Sequence, residues 1–325
     1  MQGLRGDLLD VSDLRVIFHT YRGVIQALNG VELWLNRGER LGVVGESGCG
    51  KSVTALALMQ LIEPPGEIAG GKIVFDGRQL IGLKEEALDQ IRGREMSMIF
   101  QEPVAALNPV MRAGRQIEEN IARGSNLNRK ALRAEAERML EVVGLDPRRT
   151  YALYPHELSG GMAQRVMIAM ALSASPKLLI ADEPSSALDV TIQAQILNLL
   201  NALVRTFDYS ALLITHDMGV AAEFCDRTAV MYAGNTVEYA PTLELFSNPL
   251  HPYARGLFKA IPRIGQSEEL ATIPGEVPDL MKPPSGCRFH PRCGHAFALC
   301  REKRPPLTRV EEGHSAACHL FAGRG

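Results

Sequence analysis

The 325-residue sequence predicts an α/β fold: a mostly parallel sheet built around one glycine-rich loop, with an antiparallel β subdomain, a helical subdomain and a small C-terminal extension. Three observations predict it. Gly45-Glu46-Ser47-Gly48-Cys49-Gly50-Lys51-Ser52 separates a short apolar run at 40–44 from a helix-like run at 53–59. Leu178-Leu179-Ile180-Ala181 ends in Asp182-Glu183, and Ala211-Leu212-Leu213-Ile214-Thr215 ends in His216-Asp217. Short continuous apolar runs with polar ends read as buried parallel strands, and ligands bind at the carboxyl edge of such sheets.

The 45–52 stretch fits G-x-x-x-x-G-K-[ST] without departure. Its three glycines let the backbone curl at φ values other residues resist, so N–H groups point inward toward an anion. The helix that follows adds partial positive charge at its start. In such a loop Lys51 reaches the β- and γ-phosphates of a nucleotide, and the Ser52 hydroxyl ligates Mg²⁺.

Composition narrows the classes. Hydrophobic residues are 46% and charged residues 22%, ordinary for a globular chain. A net charge of −2 gives no global field to attract nucleic acid. No apolar run is long enough to cross a bilayer, and residues 1–10 carry charges without a signal-peptide core. The expectation is a cytoplasmic protein whose membrane role comes through a partner. The length suits a main domain over 1–240, with its helical subdomain at about 105–160, and an extension over 241–325.

In chain order, Leu14, Val16 and Phe18, then Val31, Leu33 and Leu35, alternate as strands do. Tyr21 lies just before a turn at Gly23; its ring either stacks on an adenine or is a half-exposed strand-end tyrosine. Gln101 closes the run Met98-Ile99-Phe100 ahead of Glu102-Pro103, where it can reach a metal or a water. Residues 113–144 have helical spacing at Ile117, Ile121, Leu132, Ala136, Leu140 and Val143, broken at Gly124-Ser125-Asn126 and closed by Gly144. Ser159-Gly160-Gly161 opens a helix and is a second potential anion site. Asp182 and Glu183 point to opposite faces, so they divide the work: Asp182 suits the Mg²⁺ shell and Glu183 the polarising of an attacking water. Ser186-Ala187-Leu188-Asp189 is a loop before a helix at 190–206. His216 is placed to hydrogen-bond a γ-phosphate or the lytic water.

These pieces in this order resemble the ATP-binding subunit of ABC transporters over roughly residues 8–240. The Leu158-Ser159-Gly160-Gly161-Met162 signature departs from the commoner family pattern only at Met162, where glutamine is usual. The resemblance implies a dimer in which each ATP lies between the 45–52 loop of one subunit and Ser159-Gly160-Gly161 of its partner. It also implies that Gln101 senses Mg²⁺ and nucleotide, that Asp189 bridges to the second subunit, and that the helical stretch docks on membrane subunits. The tail is similar to the extension of oligopeptide, dipeptide and nickel importers in three stretches. These are Asn248-Pro249-Leu250-His251-Pro252-Tyr253-Ala254-Arg255-Gly256-Leu257, Ile273-Pro274-Gly275-Glu276-Val277-Pro278 and Ser285-Gly286-Cys287-Arg288-Phe289-His290-Pro291-Arg292-Cys293. The implied partners are a second, related ATP-binding subunit, two membrane-spanning permease subunits and an extracytoplasmic solute-binding protein, with the chain peripheral on the cytoplasmic face of the cell membrane.

Four of six cysteines crowd the tail: Cys287, Cys293, Cys300 and Cys318, spaced C-x5-C-x6-C-x17-C. The close pairs usual in structural zinc sites are missing. Four thiolates so spaced can hold either a [4Fe–4S] cluster or zinc, with His290, His295, His314 and His319 nearby for a mixed zinc site. A third reading leaves the thiols unligated. Members of the importer family that are similar here carry a [4Fe–4S] cluster, which favours that group. The function these features imply is ATP hydrolysis driving import of di- or oligopeptides or related small solutes. The alternative is a soluble ABC-type ATPase acting on nucleic acid or ribosomes. Such chains carry a long coiled coil or a second ATPase domain, and neither is visible here.

Overall fold

The computed structural model describes residues 5–186, 188–260 and 273–322. The chain divides into two compact units, Met1–Gly82 with Ile214–Gly325, and Leu83–Leu213. The 240/241 position lies inside the strand Asn235–Pro241 of the first unit.

The first unit holds two groups of strands. Leu9–Thr20 pairs antiparallel with Gly23–Leu35 on one side and Gly66–Phe75 on the other, and Arg78–Gln79 adds an edge. This is the expected antiparallel subdomain. Leu14, Val16, Val31, Leu33 and Leu35 all bury their side chains, as the period-2 pattern requires. The second group places Arg40–Val44 parallel to Arg227–Tyr232. Beyond that pair the strands Asn235–Pro241, His314–Ala316 and Thr308–Glu311 follow in that order and run antiparallel. The expected mostly parallel sheet is therefore mixed in this unit. A hairpin and the end of the chain supply the antiparallel edge, because tight turns at Ala233-Gly234 and before Gly313 leave no length for a crossover.

The strand Arg40–Val44 is apolar on both faces, and Leu41, Val43 and Val44 are fully buried. Full burial of each such side chain contributes about 1.5–3 kcal/mol relative to exposure. On one side lies a core of Val44, Val230, Tyr232, Tyr253, Phe258 and Phe289. Phe289 comes from the cysteine-rich segment, and its ring centroid stands 5.1 Å from Tyr232 and 5.5 Å from Tyr253. The tail thus joins the core of this unit through a side chain that sits between Cys287 and Cys293.

In the second unit, Met96–Ile99 and Leu178–Asp182 are parallel neighbours, with Ser210–Ile214 next in order. Leu178, Leu179, Ile180 and residues 211–214 are buried throughout. The helices Ala113–Gly124 and Arg129–Val142 form where helical periodicity predicts them. Ile117, Ile121, Ala136, Leu140 and Val143 are buried and Leu132 is half-buried. Asn128 caps the second helix by accepting from the Ala131 N–H at 3.0 Å, and Gly144 takes φ +73° just past its end. The charges between 129 and 141 pair on the exposed face, Arg133 with Glu137 and Arg138 with Glu135. Such exposed pairs are screened by solvent and contribute little to stability. Among the described residues, no helix is long and apolar enough to cross a membrane.

Candidate nucleotide site and cysteine cavity

The 45–52 loop joins Arg40–Val44 to the helix Lys51–Leu58, as its motif requires. Gly45 has φ +153°, and a Cβ there would lie 2.2 Å from the Met231 carbonyl oxygen. Gly50 has φ +103° and sits immediately before the helix, pressed against Leu28 and the Ala27 carbonyl. A side chain at Gly45 would force the Met231 backbone to move, and one at Gly50 would adopt a strained φ and press on the Leu28 side chain at 2.6 Å. Ser47 and Gly48 are exposed at the tip. Lys51 is buried, and its Nζ donates to the carbonyls of Gly45 at 2.9 Å and Glu46 at 3.1 Å. The ammonium is thus curled back across the loop it belongs to, in the concavity where a phosphate chain fits. Cys49 is buried with its thiol pushed up by burial, so it is a packing residue of the loop. Ser52 opens the helix and is half-buried.

The loop is tied to a turn that sequence reading did not single out. Gly234 donates its N–H to the Cys49 carbonyl at 2.8 Å, and its own carbonyl accepts from Asn29 at 2.7 Å. Tyr21 lies in the hairpin turn itself, not before it, and is 92% exposed with the Arg22 guanidinium 5.4 Å from its ring. His216 is exposed in the turn after residue 214, and Asp217 caps the next helix by accepting from Gly219 and Val220. Just ahead, Thr215 donates its N–H to Val43, which fixes this turn beside the strand leading into the loop.

In the second unit, Asp182 is the last residue of its strand and is 5% exposed. Glu183 follows at φ +43°, a left-handed conformation that costs a non-glycine residue about 1 kcal/mol or more. Gln101 donates from Nε2 to Glu183 Oε2 at 3.3 Å. Gln101 and Glu183, 82 positions apart, thus meet. Ser159 caps the helix Gly160–Leu172 by accepting from Met162 at 3.3 Å, so Ser-Gly-Gly does open a helix. Asp189 caps Val190–Phe207 in the same way, through Ile192. Ala187, in the expected 186–189 loop, lies outside the described residues.

Cys287, Cys293, Cys300 and Cys318 line one cavity of about 300 Å³, together with His251, His290, His295 and His319. His314 is elsewhere: its Nε2 is 2.7 Å from Glu238 Oε1, fully buried. The thiols of Cys287 and Cys318 are pushed up to about 11, first by burial and then by the charge of the other cysteines. Among the described residues, no three of these sulfur and imidazole donors lie within 4.8 Å of one another. A single zinc would draw its thiolates closer, since Zn–S is about 2.3 Å in a tetrahedron. The four thiols are therefore spread around the wall of the cavity and not gathered at one point.

A buried lysine in a glycine loop on a parallel strand, with an acidic strand end in the same chain, defines a nucleotide-binding domain of the phosphate-loop class. Residues 28–186 match the ABC transporter family, and residues 237–300 match the C-terminal region of oligopeptide/dipeptide transporters. The chain is 49% identical over 313 residues to the oligopeptide transport ATP-binding protein OppD of Salmonella typhimurium, covering 96% of this chain and 93% of that protein. It is 45% identical over 316 residues to the dipeptide transport ATP-binding protein DppD of Bacillus subtilis, covering 96% and 94%. Among solved structures, a dimeric ATP-binding cassette in a post-hydrolysis state bound to ADP and Pi matches with a TM-score of 0.66 at 26% identity, covering 72% of this chain and 99% of that one. The protein cbiO1 of Clostridium perfringens, part of an ABC transporter complex, matches at 0.62 and 25% identity, covering 74% and 91%. The chain belongs to the ATP-binding proteins of ABC transporters, in their oligopeptide/dipeptide branch.

Proposed function

We propose that this chain hydrolyses ATP to power import of di- or oligopeptides through membrane permease subunits. The observation that carries this reading is the continuity of the likeness: cassette and C-terminal region both match, and transport relatives align over 96% of the chain. The reading of an ATPase acting on nucleic acid or ribosomes finds no support among these relatives.

The finer assignments follow the chemistry of the residues. The 45–52 backbone cradles the phosphates, and Lys51 leaves its carbonyl partners for the β- and γ-phosphate oxygens. Ser52, Asp182 and Gln101 are the groups suited to Mg²⁺, which when bound neutralises charge on the transferring phosphoryl group. Glu183 orients and polarises the attacking water, with its carboxylate steadied by Gln101, and His216 steadies the γ-phosphate. Tyr21, fully out in solvent, offers an aromatic face for the adenine. Ser159-Gly160-Gly161 binds the nucleotide held by a second, related ATP-binding subunit, so ATP clamps the pair. The whole chain sits peripherally on the cytoplasmic face of the membrane, supplied by an extracytoplasmic solute-binding protein.

Cys287, Cys293, Cys300 and Cys318 would hold a [4Fe–4S] cluster, with zinc as the alternative, and that group would staple residues 285–320. ATPase activity of the assembled transporter, stimulated by peptide-loaded binding protein, tests the function. Activity indifferent to peptide would argue for another cargo.

A further inference from the structure

We propose that Arg292 and Tyr253, from the C-terminal region, are positioning residues of the phosphate loop, acting through Glu46. The inference rests on the reading of residues 45–52 as the phosphate loop.

Glu46 is held at every polar group it has. Its carbonyl accepts from Lys51, within the loop, at 3.1 Å. Its N–H donates to the Tyr253 hydroxyl at 2.9 Å. Its carboxylate accepts two bonds from Arg292, Nη1 to Oε2 at 2.9 Å and Nη2 to Oε1 at 3.3 Å. The Glu46 carbonyl also accepts from the Cys49 N–H at 3.3 Å, so two of its four partners come from residues 207 and 246 positions away.

Neither anchor is a loose surface group. Tyr253 is fully buried, with its ring 4.6 Å from that of Tyr232. The Arg292 side chain is 5% exposed. Its Nε donates to the Pro274 carbonyl at 2.9 Å, and Nη2 also donates to the Ile273 carbonyl at 3.2 Å. Nη1 lies 3.4 Å from the Tyr232 hydroxyl. A guanidinium fixed on three sides presents its fork to Glu46 already oriented, which is the geometry that makes a bidentate pair strong.

The chemistry explains why a phosphate loop needs this. Glu46 carries a negative charge one residue into a loop meant for a polyphosphate, and like charges at such range repel. Arg292 cancels that charge and pulls the carboxylate to the tail side. Tyr253 turns the Glu46 N–H the same way, leaving the later residues of the loop to face the phosphates. Arg292 also neighbours Cys293, so the wall of the cysteine cavity and the brace of the phosphate loop are consecutive residues.

The test is equilibrium binding of a fluorescent ATP analogue to the full chain, with melting temperature measured alongside. Arg292→Ala is expected to weaken binding about three- to tenfold, in the lower part of the range of coupling between residues in direct contact. Adding Glu46→Gln to that variant removes the stranded charge and is expected to restore most of the affinity. Arg292→Lys falls between, because it keeps the charge and loses the fork. Tyr253→Phe, which keeps the ring, is expected to weaken binding about two- to fivefold, the share of one hydrogen bond. Lys51→Ala is the control and must lose affinity in the same assay. Wild-type affinity in Arg292→Ala, with Lys51→Ala impaired, overturns the proposal. So does a weakened Arg292→Ala that Glu46→Gln does not rescue, and a collapsed melting temperature in that variant marks the loss as general unfolding. If Lys51→Ala binds normally, the phosphate-loop reading fails and the proposal falls with it.

Discussion

The phosphate loop and the cysteine segment lie in one compact unit and are built on opposite principles. The loop takes its path from its own backbone, and Tyr253 and Arg292 brace it at Glu46. Gly45 and Gly50 take conformations that set its path, and Lys51 Nζ donates to the carbonyls of Gly45 and Glu46. The cysteine segment reaches the core mainly through Phe289, and its four thiols line a shared cavity where burial opposes ionisation of Cys287, Cys293 and Cys318. One is ordered by residues adjacent in sequence; the other gathers side chains that lie far apart in it. Backbone geometry of the first kind is written within eight consecutive residues, whereas the cavity's cysteines are brought together across the 31 positions from Cys287 to Cys318.

The largest expected effect breaks the comparison on the catalytic side. Glu183→Gln should lower ATP turnover by about 10²–10⁴-fold, the scale of a lost general base, while nucleotide binding persists. Phosphate release and analogue binding measured on the same preparation check this; near-normal turnover would remove Glu183 from its role. Next, Lys51→Ala should weaken ATP binding about 10- to 100-fold, the contribution of a charge-assisted hydrogen bond in a dry site. Titration calorimetry reads it, and the cysteine segment should melt unchanged.

On the other side, anaerobic purification with iron, sulfide and zinc analysis should find about four irons and four sulfides per chain. Cys300→Ser should then lower the melting temperature by about 5 °C or more, while Lys51-dependent ATP binding stays within about twofold. One zinc per chain, in a colourless protein, would make the segment a simple clip.

The smallest effect is a pH dependence. His251 is buried, and burial lowers its pKa from 6.5 to about 3. Its stabilising neutral state is fully present above pH 6.5, and the stability it supports is lost as the pH falls from 6.5 toward 3, where the unfolded chain takes up a proton that the folded chain refuses. His251→Asn keeps an acceptor for the Tyr253 N–H, which His251 Nδ1 now provides at 3.0 Å, and removes the proton site. Acid unfolding of this variant should lose one proton of pH slope in that window.

Much of the site was legible because its residues are constrained locally. The 45–52 spacing, the Leu178–Asp182 strand and the helices Ala113–Gly124 and Arg129–Val142 follow from turn chemistry and periodicity within a few residues. The antiparallel edge was not legible. Glu238 is fully buried in the strand Asn235–Pro241, where it accepts from the N–H groups of Leu250 and His251 and pairs with His314, 76 positions on. A glutamate in an apolar run reads as a surface residue until those donors are known. A signal existed: Ala233-Gly234-Asn235 between two β-prone runs is a hairpin turn, and both central residues have positive φ. The brace on Glu46 was invisible for the same reason, since nothing near Glu46 in sequence announces Tyr253 or Arg292.

The measurement that bears most directly on the function is ATP-dependent uptake of a labelled peptide into vesicles carrying this chain with its permease partners. The wild-type chain should drive accumulation that stops in Glu183→Gln, even though that variant still binds ATP. Undiminished uptake by the variant, or ATP hydrolysis by the wild type with no uptake of any di- or oligopeptide, would contradict the assignment of this chain as the motor of a peptide importer.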